Sequence, residues 1–100
     1  MQDYIKIPKS FSDWRYFHYA NYLKVYIFLL LKAEVTECKV HDLILNRGQL
    51  AVTCRYLCSS LNLSKKQIIL ILNRLKGTEI EIEITHFYYI ITLLEYDKFK

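Results

Sequence analysis

SKKQIILILNRLK, residues 64–76, predicts an amphipathic α-helix. Its apolar residues recur at i, i+3, i+4 and i+7, the spacing of one helical stripe, and they are Ile68, Ile71, Leu72 and Leu75. The dense isoleucines and leucines of this stretch also suit a β-strand. The flanks favour the helix, because Ser64 and Gln67 match a capping box and Gly77 supplies a left-handed residue of the kind that commonly closes a helix.

The composition predicts one compact globular domain over residues 1–100. Hydrophobic residues make up 53% of the chain and aromatic residues 15%, with only two glycines and one proline. These proportions exclude a disordered or low-complexity chain.

The chain shows no pattern of a membrane or secreted protein. Its longest apolar run, residues 25–31, is far shorter than the roughly 20 residues of a membrane span. Residues 1–10 lack the basic segment and apolar run of a secretory signal. We therefore expect no membrane contact and a cytoplasmic location.

Positive charge is concentrated in one part of the chain. The net charge is only +4, but no Asp or Glu occurs from Leu43 to Thr78. The same window holds six basic residues, which are Arg47, Arg55, Lys65, Lys66, Arg74 and Lys76. This distribution predicts an electropositive surface suited to an anionic partner. The alternative is that these charges serve solubility alone.

The N-terminal third predicts an arm and two helices. Residues 4–8 alternate apolar and polar side chains, typical of an edge strand or of an arm within residues 1–9. Ser10 and Asp13 match a second capping pattern, which predicts a short helix placing two aromatic residues in the core, Trp14 and Phe17. Residues 21–33 predict a longer helix with four residues facing inward, Leu23, Ile27, Leu30 and Leu31.

The middle of the chain predicts a loop, extended segments and a capped helix. Residues 34–41 are polar and aperiodic, which is typical of a loop, whereas residues 42–45 and 49–52 have strand character. Thr53 is suited to cap a helix that runs to Leu61. Together with the helix at 64–76, it forms a helix-turn-helix pattern.

The C-terminal part predicts a β-hairpin. EIEIEI, residues 79–84, has a period of two, which predicts buried Ile80, Ile82 and Ile84 and solvent-facing Glu79, Glu81 and Glu83. Thr85 and His86 predict the turn, and residues 87–95 the second strand. The order of elements predicts an α+β, mostly α fold: a winged helix-turn-helix with three to four helices and a C-terminal β-hairpin wing.

Several runs resemble a known family. They are FLLLKA at 28–33, NRGQL at 46–50, LNLSKKQI at 61–68, LNRLK at 72–76 and EYDKF at 95–99. They resemble the N-terminal winged-helix domain of phage and mobile-element replication proteins, a group similar to the DnaD-type primosome and replisome-organiser proteins. The resemblance spans residues 14–99 and implies DNA binding or self-association during replication initiation.

The basic residues predict contact with double-stranded DNA. Lys65 and Lys66 are expected to contact phosphates together with the N–H groups at the start of their helix. Arg55 and Arg47 are expected to flank them. Arg74 adds a further positive charge, and Asn73 is the residue best suited to a base edge.

A second hypothesis is an assembly module without direct DNA readout. The family commonly carries an Arg and a small polar residue at the positions that here hold Ile69 and Leu70. These two residues and Tyr4 are therefore predicted to bury surface against a second copy, in a homodimer or higher oligomer, or against a replisome protein.

No enzymatic or metal-binding pattern is present. The histidines His18, His41 and His86 are scattered, and no acidic pair has catalytic spacing. Three cysteines are an odd number, which argues against a disulfide framework, and their spacing to His41 and His86 matches no common zinc pattern. We expect no catalytic residue, no metal and no cofactor.

Overall fold

The computed structural model of the chain describes residues 4–40, 42–85 and 87–99. These residues contain three α-helices and five strands: α1 (Ala20–Lys32), β1 (Cys38–Val40), β2 (Leu43–Leu45), β3 (Gln49–Val52), α2 (Cys54–Leu61), α3 (Lys65–Leu75), β4 (Ile80–Ile84) and β5 (Tyr89–Leu93). Two 3-10 helices lie near the ends: η1 (Lys9–Asp13) and η2 (Tyr96–Phe99).

The α2–α3 pair forms as its caps predict. The Tyr56 N–H donates to Thr53 Oγ1 at 3.0 Å and starts α2, which ends at Asn62 in the left-handed conformation. At the start of α3, the Gln67 N–H donates to Ser64 Oγ and the Ser64 N–H donates to Gln67 Oε1, so the capping box is complete. The predicted apolar stripe is confirmed, since α3 buries Ile68, Ile71, Leu72 and Leu75.

The position of α1 is confirmed, but its predicted inward face is partly wrong. The helix buries Val25, Tyr26, Leu29 and Leu30. Leu31, which was expected to face inward, is 57% exposed. A helix that is apolar on nearly all sides carries no periodic signal that selects one face. The aromatic cluster around Tyr26 sets the rotation of α1 instead.

The strands form two antiparallel sheets. β1 pairs with β2 in a hairpin, with Cys38 opposite Leu45. The larger sheet has the order β3-β5-β4, with Leu50 opposite Ile91 and Ile91 opposite Ile82. Its inner face packs against the helices through fully buried side chains, which include Leu29, Leu57, Ile68, Leu75, Ile80 and Ile91.

The predicted winged helix-turn-helix fold is wrong. The strands are not confined to a C-terminal hairpin, because β1, β2 and β3 all lie between α1 and α2. The predicted loop at 34–41 contains β1, and His41 lies outside the described residues. The C-terminal hairpin is two thirds of a three-stranded sheet that β3 completes, instead of a projecting wing. The pairing partners are distant in sequence, so local pattern alone does not reveal them.

The buried and exposed faces of β4 also differ from the prediction. Ile80 is buried and Ile82 half-buried, but Ile84 is 74% exposed at the end of the strand. Glu79, expected in solvent, has a side chain only 14% exposed and contacts Trp14 and Arg15. The Thr85 N–H donates to the Tyr88 carbonyl, so β5 begins at Tyr89 instead of residue 87. His86, the other predicted turn residue, lies outside the described residues.

The N-terminal segment packs against α1, η2 and the start of β4. Residues 4–8 form no strand, but the Lys6 N–H donates to the Phe99 carbonyl at 2.6 Å. The helix expected after Ser10 is only the 3-10 turn η1. Trp14 and Phe17 are half-buried, and the Trp14 ring stacks on Phe11 and Tyr26 at centroid distances of 5.3 and 4.9 Å.

Among the described residues, no helix combines the length and the apolar character needed to cross a bilayer.

Candidate nucleic-acid interface

The start of α3 presents two exposed lysines. Lys65 and Lys66 are the first residues of the helix, and both side chains are exposed. The first N–H groups of any helix lack an intrahelical acceptor. The capping box satisfies the N–H of Gln67, which leaves those of Lys65 and Lys66 available to an anion beside the two ammonium groups.

The outward stripe of α3 has a polar start, an apolar middle and a polar end. At about 100° per residue, Lys66, Leu70 and Asn73 point most directly away from the buried stripe. Leu70 is 49% exposed, and its neighbour Ile69 is 37% exposed. Asn73 and Arg74 are exposed in the last turns. The stripe therefore offers charge at its start and one amide for hydrogen bonding further along.

The first turn of α2 lies near the start of α3. Burial raises the pKa of the Cys54 thiol, as does the neighbouring Cys58, whose Sγ lies 4.0 Å away, while the positive charge of Lys65 opposes the rise. Arg55 is exposed in the first turn of α2, next to Cys54 in the chain.

The cations of this region have no carboxylate partner among the described residues. The described residues form four ion pairs, which join Arg15 to Glu79, Lys39 to Asp42, Arg47 to Asp97 and Lys98 to Glu95. None of them involves α2 or α3. We call Arg55, Lys65, Lys66, Asn73 and Arg74 the candidate interface.

Arg47 lies elsewhere. Its Nε donates to Asp97 Oδ1 at 3.0 Å, and the guanidinium also donates to the Val35 carbonyl and lies 5.2 Å from the centre of the Tyr96 ring. All these contacts are outside α2 and α3. Arg47 therefore attaches the β2–β3 turn to η2. None of these contacts joins it to the other predicted DNA-binding residues.

The predicted assembly residues lie on two elements. Ile69 and Leu70 are on α3, whereas Tyr4, 63% exposed, lines a small cleft with Leu31 and Val35 beside the end of α1. Three apolar side chains that the sequence analysis did not assign to an interface are more exposed than these: Ile44 at 69%, Ile84 at 74% and Phe87 at 73%. No sequence signal separates them from buried residues, because each belongs to a stretch with strand-like apolar character.

The described residues contain no group of three histidine, cysteine or acidic side chains placed to hold a metal ion. Cys38, Cys54 and Cys58 are free thiols. His41 and His86 lie outside those residues.

The chain matches no protein-family model, no curated protein and no solved structure.

Proposed function

We propose that the α2–α3 pair binds the phosphate backbone of double-stranded DNA. The observation that carries this proposal is the absence of any carboxylate paired, within the described residues, to the cations of the candidate interface. When Lys and Arg side chains bind phosphates, the counterions condensed on the DNA are released, which favours binding. Exposed cations without intramolecular partners can do this without first breaking an ion pair within the protein.

The arrangement of α3 supports positioning on the backbone over reading of sequence. A phosphate at the start of α3 would accept from the free N–H groups and from Lys65 and Lys66. Further along, Asn73 is the one exposed amide of the stripe, and Leu70 offers only an apolar contact of the kind that suits a thymine methyl group. We therefore propose weak sequence preference.

The family resemblance supports a role in replication initiation. The segments that carry it include the whole start of α3, residues 61–68. A backbone-binding module of this kind would place a primosome-like assembly of a phage or mobile element on duplex DNA, without choosing the sequence itself.

Duplex binding measured across a salt series tests the proposal. Four cations, Arg55, Lys65, Lys66 and Arg74, each neutralising one phosphate, predict a log–log salt slope of about −3 to −4. Fluorescence anisotropy with two labelled duplexes of unrelated sequence measures slope and preference together. No binding at low salt, or an affinity that does not change with salt, contradicts the proposal.

Assembly remains a second candidate function, favoured by one observation. Leu70 is half exposed in the middle of the outward face of α3, and Ile69 beside it is 37% exposed, so the two form a small apolar patch that a second copy would cover. Self-association through this face predicts that Leu70→Ser shifts sedimentation toward the monomer. Leu94→Ser, at a position 45% exposed outside α3, is the matched control. A wild-type monomer at high concentration contradicts self-association.

A further inference from the structure

A cleft on the side of the domain formed by η1, α1 and η2 has a cavity volume of about 220 Å³. A single water needs only about 10–15 Å³, so the cleft has room for a ligand of several heavy atoms. Aromatic residues form much of its wall: Phe11, Trp14, Tyr26 and Phe99. Their rings contact one another, with the Phe11 and Phe99 centroids 5.5 Å apart, so the wall is a packed aromatic cluster.

Carboxylates outnumber cations in the lining. Asp13, Glu79 and Glu95 line the cleft, against Lys98 alone. Glu79 is held in place, because it accepts from Trp14 Nε1 at 3.0 Å and pairs with Arg15. In the pair between Glu95 and Lys98, the Glu95 side chain is 53% exposed and the Lys98 side chain 63% exposed. Exposed ion pairs are weak, so another cation can replace Lys98 at Glu95. With Arg15 and Lys98 set against the three carboxylates, a cation entering the cleft would meet a surplus of one negative charge.

The Tyr26 hydroxyl has no hydrogen-bond partner among the described residues, although the residue is only 2% exposed. Burial raises the pKa of Tyr26, and the charges of Glu95 and Glu79 raise it further. Tyr26 lines the cleft together with these two carboxylates. Among the described residues, no fully buried side-chain oxygen or nitrogen lacks a partner, so the Tyr26 hydroxyl reaches solvent in the cleft and is accessible to a ligand that donates a hydrogen bond.

We propose that this cleft binds a protonated alkyl amine. The ammonium group would donate to the Glu95 carboxylate and to the Tyr26 hydroxyl, with the charge of Glu79 behind them. The alkyl chain would lie against the rings of Trp14 and Phe11, since cations and their alkyl stems favour aromatic surfaces. The amine is either a free small molecule or the side chain of a lysine in a polypeptide. The site shares no residue with the candidate interface.

Trp14 makes binding directly measurable. It is the only tryptophan of the chain and lines the cleft. Titration of the intact protein with n-butylammonium chloride, at ionic strength held constant with sodium chloride, is expected to change Trp14 emission saturably. Titration with n-butanol, which has the same alkyl chain and no charge, is expected to leave the emission unchanged. A saturable response to both ligands would overturn the proposal, because the cleft would then be merely apolar.

Two variants test the polar contacts. Glu95→Gln removes one charge and Tyr26→Phe removes only the hydroxyl, so each is expected to weaken butylammonium binding several-fold. Glu83→Gln, the same charge change at an exposed position of β4, is the matched control and is expected to bind as wild type. Circular dichroism verifies that each variant is folded. Wild-type affinity in folded Glu95→Gln and Tyr26→Phe, or no saturable response of the wild-type protein, overturns the proposal.

A lysine-containing peptide and its Nε-acetylated form distinguish the two sources. Competition with butylammonium by the unmodified peptide alone identifies a polypeptide ligand. Butylammonium binding without competition by either peptide identifies a free amine.

Discussion

Trp14 donates its indole N–H to Glu79 Oε2 at 3.0 Å, across 65 residues of sequence. The bond joins the segment before α1 to the start of β4. Arg15 reinforces it through the same carboxylate, at 3.3 Å from Oε1. The N-terminal aromatic cluster and the larger sheet are thereby held together by one glutamate, whose side chain is 14% exposed.

Glu79→Ala should destabilise the fold by about 1–3 kcal/mol, because it leaves the half-buried Trp14 N–H without its acceptor. Urea denaturation followed by Trp14 fluorescence measures the change. Glu83→Ala removes the same side chain from an exposed position of β4 and should stay within about 0.5 kcal/mol of wild type. Equal effects of the two variants would contradict a structural role of Glu79.

The rotation of α1 gives a second prediction. Leu29 is fully buried, so Leu29→Ala should destabilise the fold by about 2–5 kcal/mol. Leu31, on the same helix, is 57% exposed, so Leu31→Ala should change stability by about 0.5 kcal/mol or less. Denaturation midpoints at unchanged m-value test both. A larger loss of stability in Leu31→Ala than in Leu29→Ala would contradict this rotation of α1 and support the inward face that hydrophobic patterning predicts.

These two cases show which features the sequence reveals. Caps and stripes of α2 and α3 are local, with interacting residues three or four positions apart, so Ser64, Gln67 and Ile68 were predicted correctly. The function of Glu79 depends on Trp14, 65 residues earlier, and β3 depends on pairing with β5. Such partners are chosen by tertiary packing, which overrides local preference.

The same distinction applies to the candidate interface. The exposure of Lys66 and Asn73 follows from their place opposite the apolar stripe of α3, so the sequence is sufficient to predict it. Arg47 lies in the same window without acidic residues, but its partner Asp97 is 50 residues away. A charge window therefore predicts the sign of a surface, and not which of its cations are engaged in ion pairs within the fold.

The two glycines, Gly48 and Gly77, separate the effect of backbone strain from that of a steric clash. Both have a positive φ, +82° at Gly48 and +91° at Gly77. A Cβ at Gly77 would meet nothing within 4 Å, whereas one at Gly48 would lie 3.1 Å from Tyr96 Cβ. Gly77→Ala should destabilise the fold by about 1–2 kcal/mol through the left-handed backbone alone. Gly48→Ala should destabilise it more, because Tyr96 must also move. Equal losses of stability in the two variants would show that Tyr96 moves away from the new Cβ at no cost in free energy.

Lys65→Ala combined with Lys66→Ala should weaken duplex binding and make the salt slope shallower by about 2, since two phosphate contacts are lost. Anisotropy titrations at several salt concentrations measure both changes. Lys9→Ala combined with Lys39→Ala removes two exposed lysines outside α2 and α3 and should leave the slope nearly unchanged. Alanine favours helix, so α3 should persist, which circular dichroism verifies. Identical slopes in the two double variants would contradict binding at the start of α3.

The Tyr26 hydroxyl predicts how stability depends on alkaline pH. Its pKa is raised above the ordinary 10.0 by burial first and by Glu95 and Glu79 next. Above pH 10 the unfolded chain loses this proton while the folded protein keeps it, so the unfolded state binds fewer protons and stability falls as pH rises. Below pH 10 both states are protonated, and the contribution of Tyr26 is fully present. Tyr26→Phe should therefore flatten the alkaline decline in urea-unfolding free energy, whereas Tyr19→Phe, at a position 57% exposed, should leave it as steep as in wild type. An unchanged decline in Tyr26→Phe would show that this hydroxyl is not shielded from solvent in the folded protein.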